Sequence, residues 1–83
     1  MTVGALVDYV LSRHAQQRML GRGITRADVE AVLNGYHSCW HDPAQGSYVL
    51  TGTTSAGRTL LVFVPDDNWP PTAKITVKST AWR

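Results

Sequence analysis

The sequence of 83 residues contains one cysteine, Cys39, and no apolar run near the roughly 20 residues that a membrane-spanning helix needs. A single cysteine excludes an internal disulfide, which is typical of proteins in a reducing compartment. The first residues also lack a basic segment followed by a long apolar stretch, so we expect no export signal. These absences predict a cytoplasmic protein without a membrane partner.

Several enzyme signatures are missing as well. There is no Walker loop, no GxGxxG segment after a strand and no GxSxG nucleophile turn. These gaps argue against nucleotide-dependent enzymes and serine hydrolases, and we expect no cofactor. The chain has no internal repeat, low-complexity tract or charge run, and 43% of its residues are hydrophobic. We therefore predict a single domain over residues 1–83.

The first half of the sequence has helical patterns. Residues 3–11 are apolar without a clear period and weakly favour a strand over an extension of the next helix. Ser12 is typical of a helix N-cap, and the predicted helix covers residues 14–23. Thr25 is a second N-cap with Asp28 three residues later, which is the spacing of a capping box. The predicted buried face of the second helix consists of Val29, Val32, Leu33 and Tyr36.

The second half has strand patterns separated by turn residues. Residues 42–46 predict a turn, residues 47–54 a strand, residues 55–58 a hairpin turn and residues 59–64 a central strand. The proline-containing segment 65–71 is unsuited to a sheet interior, and residues 73–82 predict one final strand. The predicted fold class is α+β, with a helical hairpin packed on a three- to four-stranded twisted antiparallel sheet.

The main functional candidate is a basic stripe on the first helix. His14, Arg18 and Arg22 are spaced by four residues, so they lie along one side of a helix. The positive end of the helix dipole and the two arginines favour a neutral imidazole, which can accept a proton. Arginine is well suited to hold a phosphate and the charge that develops on it. The alternative is a solvated basic surface without a specific role.

The predicted final strand supplies a second candidate surface. Its two-residue period places five residues on one face and turns Ile75 and Val77 toward the core. Basic groups, hydroxyls and an aromatic ring in alternation suit a nucleic-acid backbone with one stacked base, although a solvated strand face would have the same pattern. The five residues are Lys74, Thr76, Lys78, Thr80 and Trp82.

A zinc site is the alternative that we do not favour. His37, Cys39 and His41 alternate, so a strand would direct all three to one side, and imidazole and thiolate both bind zinc. Three such ligands with an open position would form a catalytic site. However, no second cluster accompanies them, and a lone cysteine is more often a small buried hydrophobic residue.

Residues 11–35, LSRHAQQRMLGRGITRADVEAVLNG, resemble the HAxxRMxxRGI signature of a bacterial family of small domains of unknown function. That family is similar to the BrnT and RelE/ParE toxins. Residues 48–64 and 75–83 are similar to the glycine-arginine hairpin and closing strand of the group, whereas Trp40, Trp69 and the PPT segment have no counterpart in the signature. The positions in register are His14, Ala15, Arg18, Met19, Arg22, Gly23 and Ile24.

The resemblance implies a RelE/BrnT-like toxin of a toxin–antitoxin system, with RNA and a cognate antitoxin as partners. The implied reaction is metal-independent RNA cleavage by attack of a 2′-hydroxyl on the adjacent phosphate. His14 would be the general base or would orient the hydroxyl, and Arg18 and Arg22 would stabilise the phosphate charge. The expected RNA-binding residues are Arg58, Lys74, Lys78, Trp82 and Arg83.

Two other functions remain open at the level of the sequence. One is a non-catalytic domain whose basic stripe docks nucleic acid or an acidic partner protein. The other is a ParE-like inhibitor of a partner enzyme, because related families share a fold without sharing an activity.

Overall fold

A computed structural model describes residues 8–68 and 74–83. It is an α+β fold with two helices, a four-stranded antiparallel sheet and a separate parallel pair of strands. The elements in chain order are β1 (Tyr9–Leu11), α1 (Arg13–Arg22), α2 (Arg26–Gly35), β2 (Ser38–Asp42), β3 (Ser47–Thr53), β4 (Thr59–Pro65), a short 3-10 turn (Asp66–Asn68), β5 (Ile75–Val77) and β6 (Ser79–Trp82).

Helix α1 has the predicted N-cap, Ser12, and covers Arg13–Arg22, so it begins and ends one residue earlier than the predicted range 14–23. The Ser12 side chain accepts a hydrogen bond from the Ala15 amide at 3.0 Å, and this satisfies one of the free donors of the first turn. Gly23 ends the helix in the left-handed conformation, with φ of 66°, which glycine adopts without a steric penalty. Only Ala15 and Met19 of this helix are buried, so most of its surface is exposed to solvent.

Helix α2 forms the predicted capping box. The Thr25 hydroxyl accepts from the Asp28 amide, and the Asp28 carboxylate accepts from the Thr25 amide. Val29, Val32 and Leu33 are buried as predicted. The prediction for Tyr36 is wrong, because the helix ends at Gly35 and Tyr36 is already extended, which leaves its side chain 39% exposed.

The four-stranded sheet has the order β2-β3-β4-β6, so β4 is an interior strand as predicted. Both predicted turns are present, one over residues 43–46 and one over residues 54–58. Alternate residues of β4 turn to opposite faces of the sheet. Leu60, Val62 and Val64 are buried in the core beneath the two helices, whereas Leu61 and Phe63 are half-buried on the opposite face.

The predicted final strand is two strands that meet at Lys78. β5 pairs with β1 in parallel, and β6 pairs with β4 in antiparallel, so the chain changes partner at this residue. Val77 and Thr80 are both buried although they are three residues apart. The residues that point toward the core therefore change from odd-numbered positions in β5 to an even-numbered position in β6. The expectation that Thr80 and Trp82 share an outer face with Lys74 is wrong: Thr80 is fully buried and Trp82 packs against the core.

Some sequence predictions fall outside the described residues. These are the part of the first apolar segment that precedes residue 8, and the segment that contains Trp69, Pro70 and Pro71. Pro65 is described and forms the end of β4, in register with Ser47. Within residues 8–68 and 74–83, no helix has the length and apolar character needed to cross a membrane.

Tyr9 links β1 to α2 and provides a pH-dependent test of the packing. Its hydroxyl donates to the Glu30 carboxylate at 2.6 Å, and the Arg26 guanidinium lies 5.5 Å from the ring centre. Burial, with a further contribution from Glu30, raises the pKa of Tyr9 above its usual value of 10.0. The folded state therefore favours the protonated phenol, and this stabilisation is complete below pH 10 and is lost as the pH rises through the higher folded-state pKa.

We expect Tyr9→Phe to lower the free energy of unfolding at pH 7 by about 1 kcal/mol, because it leaves the Glu30 carboxylate without this donor. The cost should shrink as the pH rises from 10 toward the higher folded-state pKa of Tyr9, because the unfolded phenol of the wild type ionises in this range and its stability falls. Urea unfolding of both proteins at pH 7 and pH 10.5 measures the effect. An equal difference at the two pH values would contradict this assignment.

Candidate functional site

The basic stripe of α1 forms one wall of a groove of about 350 Å³. His14, Arg18 and Arg22 are exposed and line this groove, as the helical spacing predicts. The opposite side consists of residues from the sheet face that the helices do not cover, together with the turn between β2 and β3. We call this feature the basic groove; its described lining residues are His14, Arg18, Arg22, Gln45, Ser47, Phe63, Lys78, Ser79 and Ala81.

Helix α1 is held along the edge of the sheet by contacts with β6. The Arg22 guanidinium donates from Nη1 to the Thr80 backbone oxygen at 2.9 Å, which satisfies a carbonyl of this edge strand. The Trp82 indole donates to the Arg22 backbone oxygen at 2.7 Å, at the end of α1 where carbonyls have no helical partner. These contacts set the position of the stripe relative to the sheet.

His14 and Arg18 contact each other directly. Arg18 Nε lies 3.4 Å from His14 Nε2 and donates to it in a long hydrogen bond. An arginine has no acceptor, so Nε2 carries a lone pair in this arrangement and the proton of a neutral imidazole resides on Nδ1. A ligand anion that attracts the Arg18 guanidinium would free the Nε2 lone pair to accept a proton.

Lys78 enters the groove from the junction of β5 and β6. Its ammonium donates to the Gln45 backbone oxygen at 2.5 Å and to the Ser47 hydroxyl at 2.9 Å. Its backbone amide donates to the Phe63 oxygen at 2.7 Å. The predicted RNA contact of Lys78 is therefore compatible with its position, but the side chain also holds the turn between β2 and β3.

The charge of the groove is unbalanced. Arg18, Arg22 and Lys78 contribute three positive charges, and no carboxylate is among its described lining residues. The contact of His41 with the Asp66 carboxylate at 3.3 Å lies outside this lining. Cations that lack an acidic neighbour attract anions, and a partly enclosed groove concentrates that attraction.

The sheet side of the groove contains residues that the sequence patterns did not identify as functional. Phe63 offers a half-buried aromatic ring, and Gln45 and Ser79 offer neutral polar groups. The sequence contained one usable signal for Phe63. It lies between Val62 and Val64 in the central strand, and the two-residue period places it on the opposite face from these buried residues. The turn residue Gln45 carried no such signal, because only the fold brings it to α1.

The other expected RNA-binding residues are not among the described lining of the basic groove. The Arg58 guanidinium lies over the Trp82 ring at 3.9 Å from its centre, so these two residues form a separate stack near the end of α1. Lys74 precedes β5 and Arg83 follows β6, and both are exposed. The structure thus divides the predicted set, with only Lys78 placed beside the helical stripe.

The alternative zinc site is not formed by the described residues, since no group of three or more His, Cys, Asp and Glu side chains among them could hold a metal. His37, Cys39 and His41 lie in or beside the exposed strand β2, and His41 instead contacts Asp66 at 3.3 Å and stacks on Tyr48. Cys39 is exposed, but partial desolvation raises the pKa of its thiol, which disfavours the thiolate that binds metal.

The chain matches a known protein family over most of its length. A family model described as a domain of unknown function, DUF4258, matches residues 11–79. This range includes the whole basic stripe as well as Gln45, Phe63 and Lys78, and it ends before Trp82. No curated protein and no solved structure matches the chain.

Proposed function

The chain belongs to the DUF4258 family of domains of unknown function, and we propose that it is a ribonuclease that cleaves single-stranded RNA in the basic groove. The observation that carries this proposal is the contact between His14 and Arg18 in a groove with three uncompensated cations. A proton acceptor beside phosphate-binding groups is the minimal arrangement for RNA cleavage by the neighbouring 2′-hydroxyl.

The proposed reaction assigns one task to each residue of the stripe. The RNA phosphate draws Arg18 away from the imidazole, and His14 Nε2 then takes the proton of the ribose 2′-hydroxyl. The 2′-oxygen attacks the adjacent phosphorus, the bond from phosphorus to the 5′-oxygen breaks, and the leaving 5′-oxygen takes a proton from water. The hydroxide that remains takes the proton from His14, which restores the neutral imidazole. Arg18 and Arg22 stabilise the added negative charge, because the guanidinium is a fixed bidentate donor for phosphate.

Single-stranded RNA suits the groove better than a duplex. Phe63 lies on the sheet side of the same groove, and an aromatic ring binds an unstacked base through its face. The bases of a duplex are already stacked on each other. DNA would bind but would not be cut, because it lacks the 2′-hydroxyl that serves as the nucleophile.

We extend the proposal to a toxin of the RelE/BrnT type, controlled by an antitoxin protein. Cutting cellular RNA arrests growth, so such an enzyme requires an inhibitor. The three uncompensated cations favour an inhibitor that supplies carboxylates to the groove. The same cations also fit a domain that binds RNA without cutting it. If Arg18 still donates to His14 when RNA is bound, the imidazole cannot take the 2′-hydroxyl proton, and this second function is favoured.

Induced expression in bacteria tests the proposed function. We expect growth to stop and total RNA to show new cut ends within minutes of induction. The double variant Arg18→Gln with Arg22→Gln should grow normally, whereas the charge-matched control Arg13→Gln with Arg26→Gln should remain toxic, because neither control residue is in the described groove lining. Growth arrest with intact RNA would contradict the ribonuclease and support an inhibitor of a partner enzyme.

A further inference from the structure

The basic groove has two chemically different sides. Helix α1 supplies His14, Arg18 and Arg22, whereas the sheet side supplies the aromatic ring of Phe63 and the polar residues Gln45 and Ser79. Phosphates and nucleobases differ in the same way, since one is anionic and the other is a flat neutral ring with hydrogen-bonding edges. A nucleotide placed with its phosphate at α1 would direct its base to the sheet side.

The backbone of Gln45 is fixed by several contacts. Its amide donates to the Asp42 oxygen at 3.2 Å, and its carbonyl accepts from Lys78 Nζ at 2.5 Å and from the Ser47 hydroxyl at 3.2 Å. A turn residue held in this way loses little further backbone freedom when a ligand binds, so its side chain can discriminate between ligands at a low entropic cost. The role of Lys78 is then to position Gln45 at the groove.

Phe63 is also fixed through its backbone. The residue lies on the interior strand β4, opposite Val49 on β3 and Ser79 on β6, and its backbone oxygen accepts from the Lys78 amide. Phe63 is half-buried and is one of the lining residues of the groove. An aromatic ring on a fixed backbone at a cationic groove can serve as a stacking platform for one base.

We propose that the sheet side of the basic groove is a subsite for a single nucleobase, which stacks on Phe63 and is recognised by the side-chain amide of Gln45. This inference rests on the proposed function, because it assigns the base next to the phosphate that α1 holds. The amide contributes one donor and one acceptor group, so it distinguishes bases by the order of donors and acceptors on their edges. The Ser79 hydroxyl, half-buried in the same lining, adds a group that can donate or accept.

Sequencing the cut ends of a random-sequence RNA pool tests the subsite. Wild-type protein should show a base preference at one position beside the cut. Gln45→Ala should cut at all four bases at about the rate that the wild type shows for its disfavoured bases, and therefore without that preference, because removing one base contact costs roughly tenfold discrimination or more. Gln17→Ala, an exposed glutamine on α1 outside the described groove lining, should keep the preference.

Equilibrium binding separates a failure of the subsite from a failure of the proposed function. Four single-stranded homo-oligomers with 2′-O-methyl riboses cannot react through the 2′-hydroxyl, and we expect the wild type to distinguish them while Gln45→Ala does not. Phe63→Leu should weaken binding of all four by about tenfold through lost stacking. Discrimination without any RNA cleavage would overturn the ribonuclease and leave the subsite. The subsite would be overturned if Gln45→Ala discriminated between the oligomers as the wild type does, or if the wild type bound all four oligomers equally.

Discussion

His14→Gln is expected to lower the rate of RNA cleavage by about 10²- to 10⁴-fold, the range usually lost with a general base. Glutamine has a side-chain oxygen that can accept the Arg18 hydrogen bond, so the local packing changes little. It cannot take a proton at neutral pH. We therefore expect RNA binding within about threefold of wild type, which a filter-binding titration with 2′-O-methyl RNA measures alongside the cleavage rate.

The matched control for this prediction is His37→Gln. His37 is also exposed, but it precedes β2 and is not among the described residues of the basic groove. Its substitution should leave both cleavage and binding unchanged. Cleavage by His14→Gln at the wild-type rate would remove His14 from the mechanism. An equal loss of binding and cleavage would make it an RNA contact only.

Gly52→Val is expected to lower the free energy of unfolding by about 2–3 kcal/mol, a large share of the stability of a small domain. Gly52 lies on β3 directly beneath α2. A Cβ at this position would come within 3.2 Å of both Cα and Cγ2 of Val32. The backbone of α2 cannot yield as a flexible side chain would, and valine adds two further methyl groups. The midpoint of urea unfolding should fall while its slope stays the same.

Gly21→Ala is the control for Gly52→Val, and we expect it to have the opposite effect on stability. Gly21 is in α1, and outside the neighbouring backbone of the helix no described atom lies within 4 Å of the position that its Cβ would take. Alanine has the higher helix propensity, so this substitution should stabilise the protein by about 0.5 kcal/mol. Wild-type stability in Gly52→Val would contradict the close approach of α2 to β3.

Local signals in the sequence were sufficient to predict the helices and the hairpins. Ser12, Thr25 and Asp28 form their capping contacts within one helical turn, so the residues that define each boundary are neighbours in the chain. The division of the last strand could not be predicted in this way. Lys78 is the point where the chain leaves β1 and joins β4, and these partners are distant in sequence. A two-residue period cannot indicate such a change.

The same limit applies to the site. The spacing of His14, Arg18 and Arg22 was enough to predict one wall of the groove, because a helix brings residues four apart to the same side. The other wall depends on where α1 rests against β6 and on how Lys78 holds the turn that contains Gln45. Trp82 and Arg58 were expected to bind RNA, but they form their own stack outside the described lining of the groove.

The most direct test of the ribonuclease is the chemistry of the ends that it produces. A single-stranded RNA and its fully 2′-O-methylated counterpart are incubated with the purified protein in a buffer that contains a metal chelator. We expect the RNA to be cut to 2′,3′-cyclic phosphate and 5′-hydroxyl ends and the methylated strand to bind but stay intact. His14→Gln should cut neither strand at an appreciable rate. Cleavage of the methylated strand, ends that carry a 5′-phosphate, or binding of RNA without any cleavage would contradict the proposed reaction.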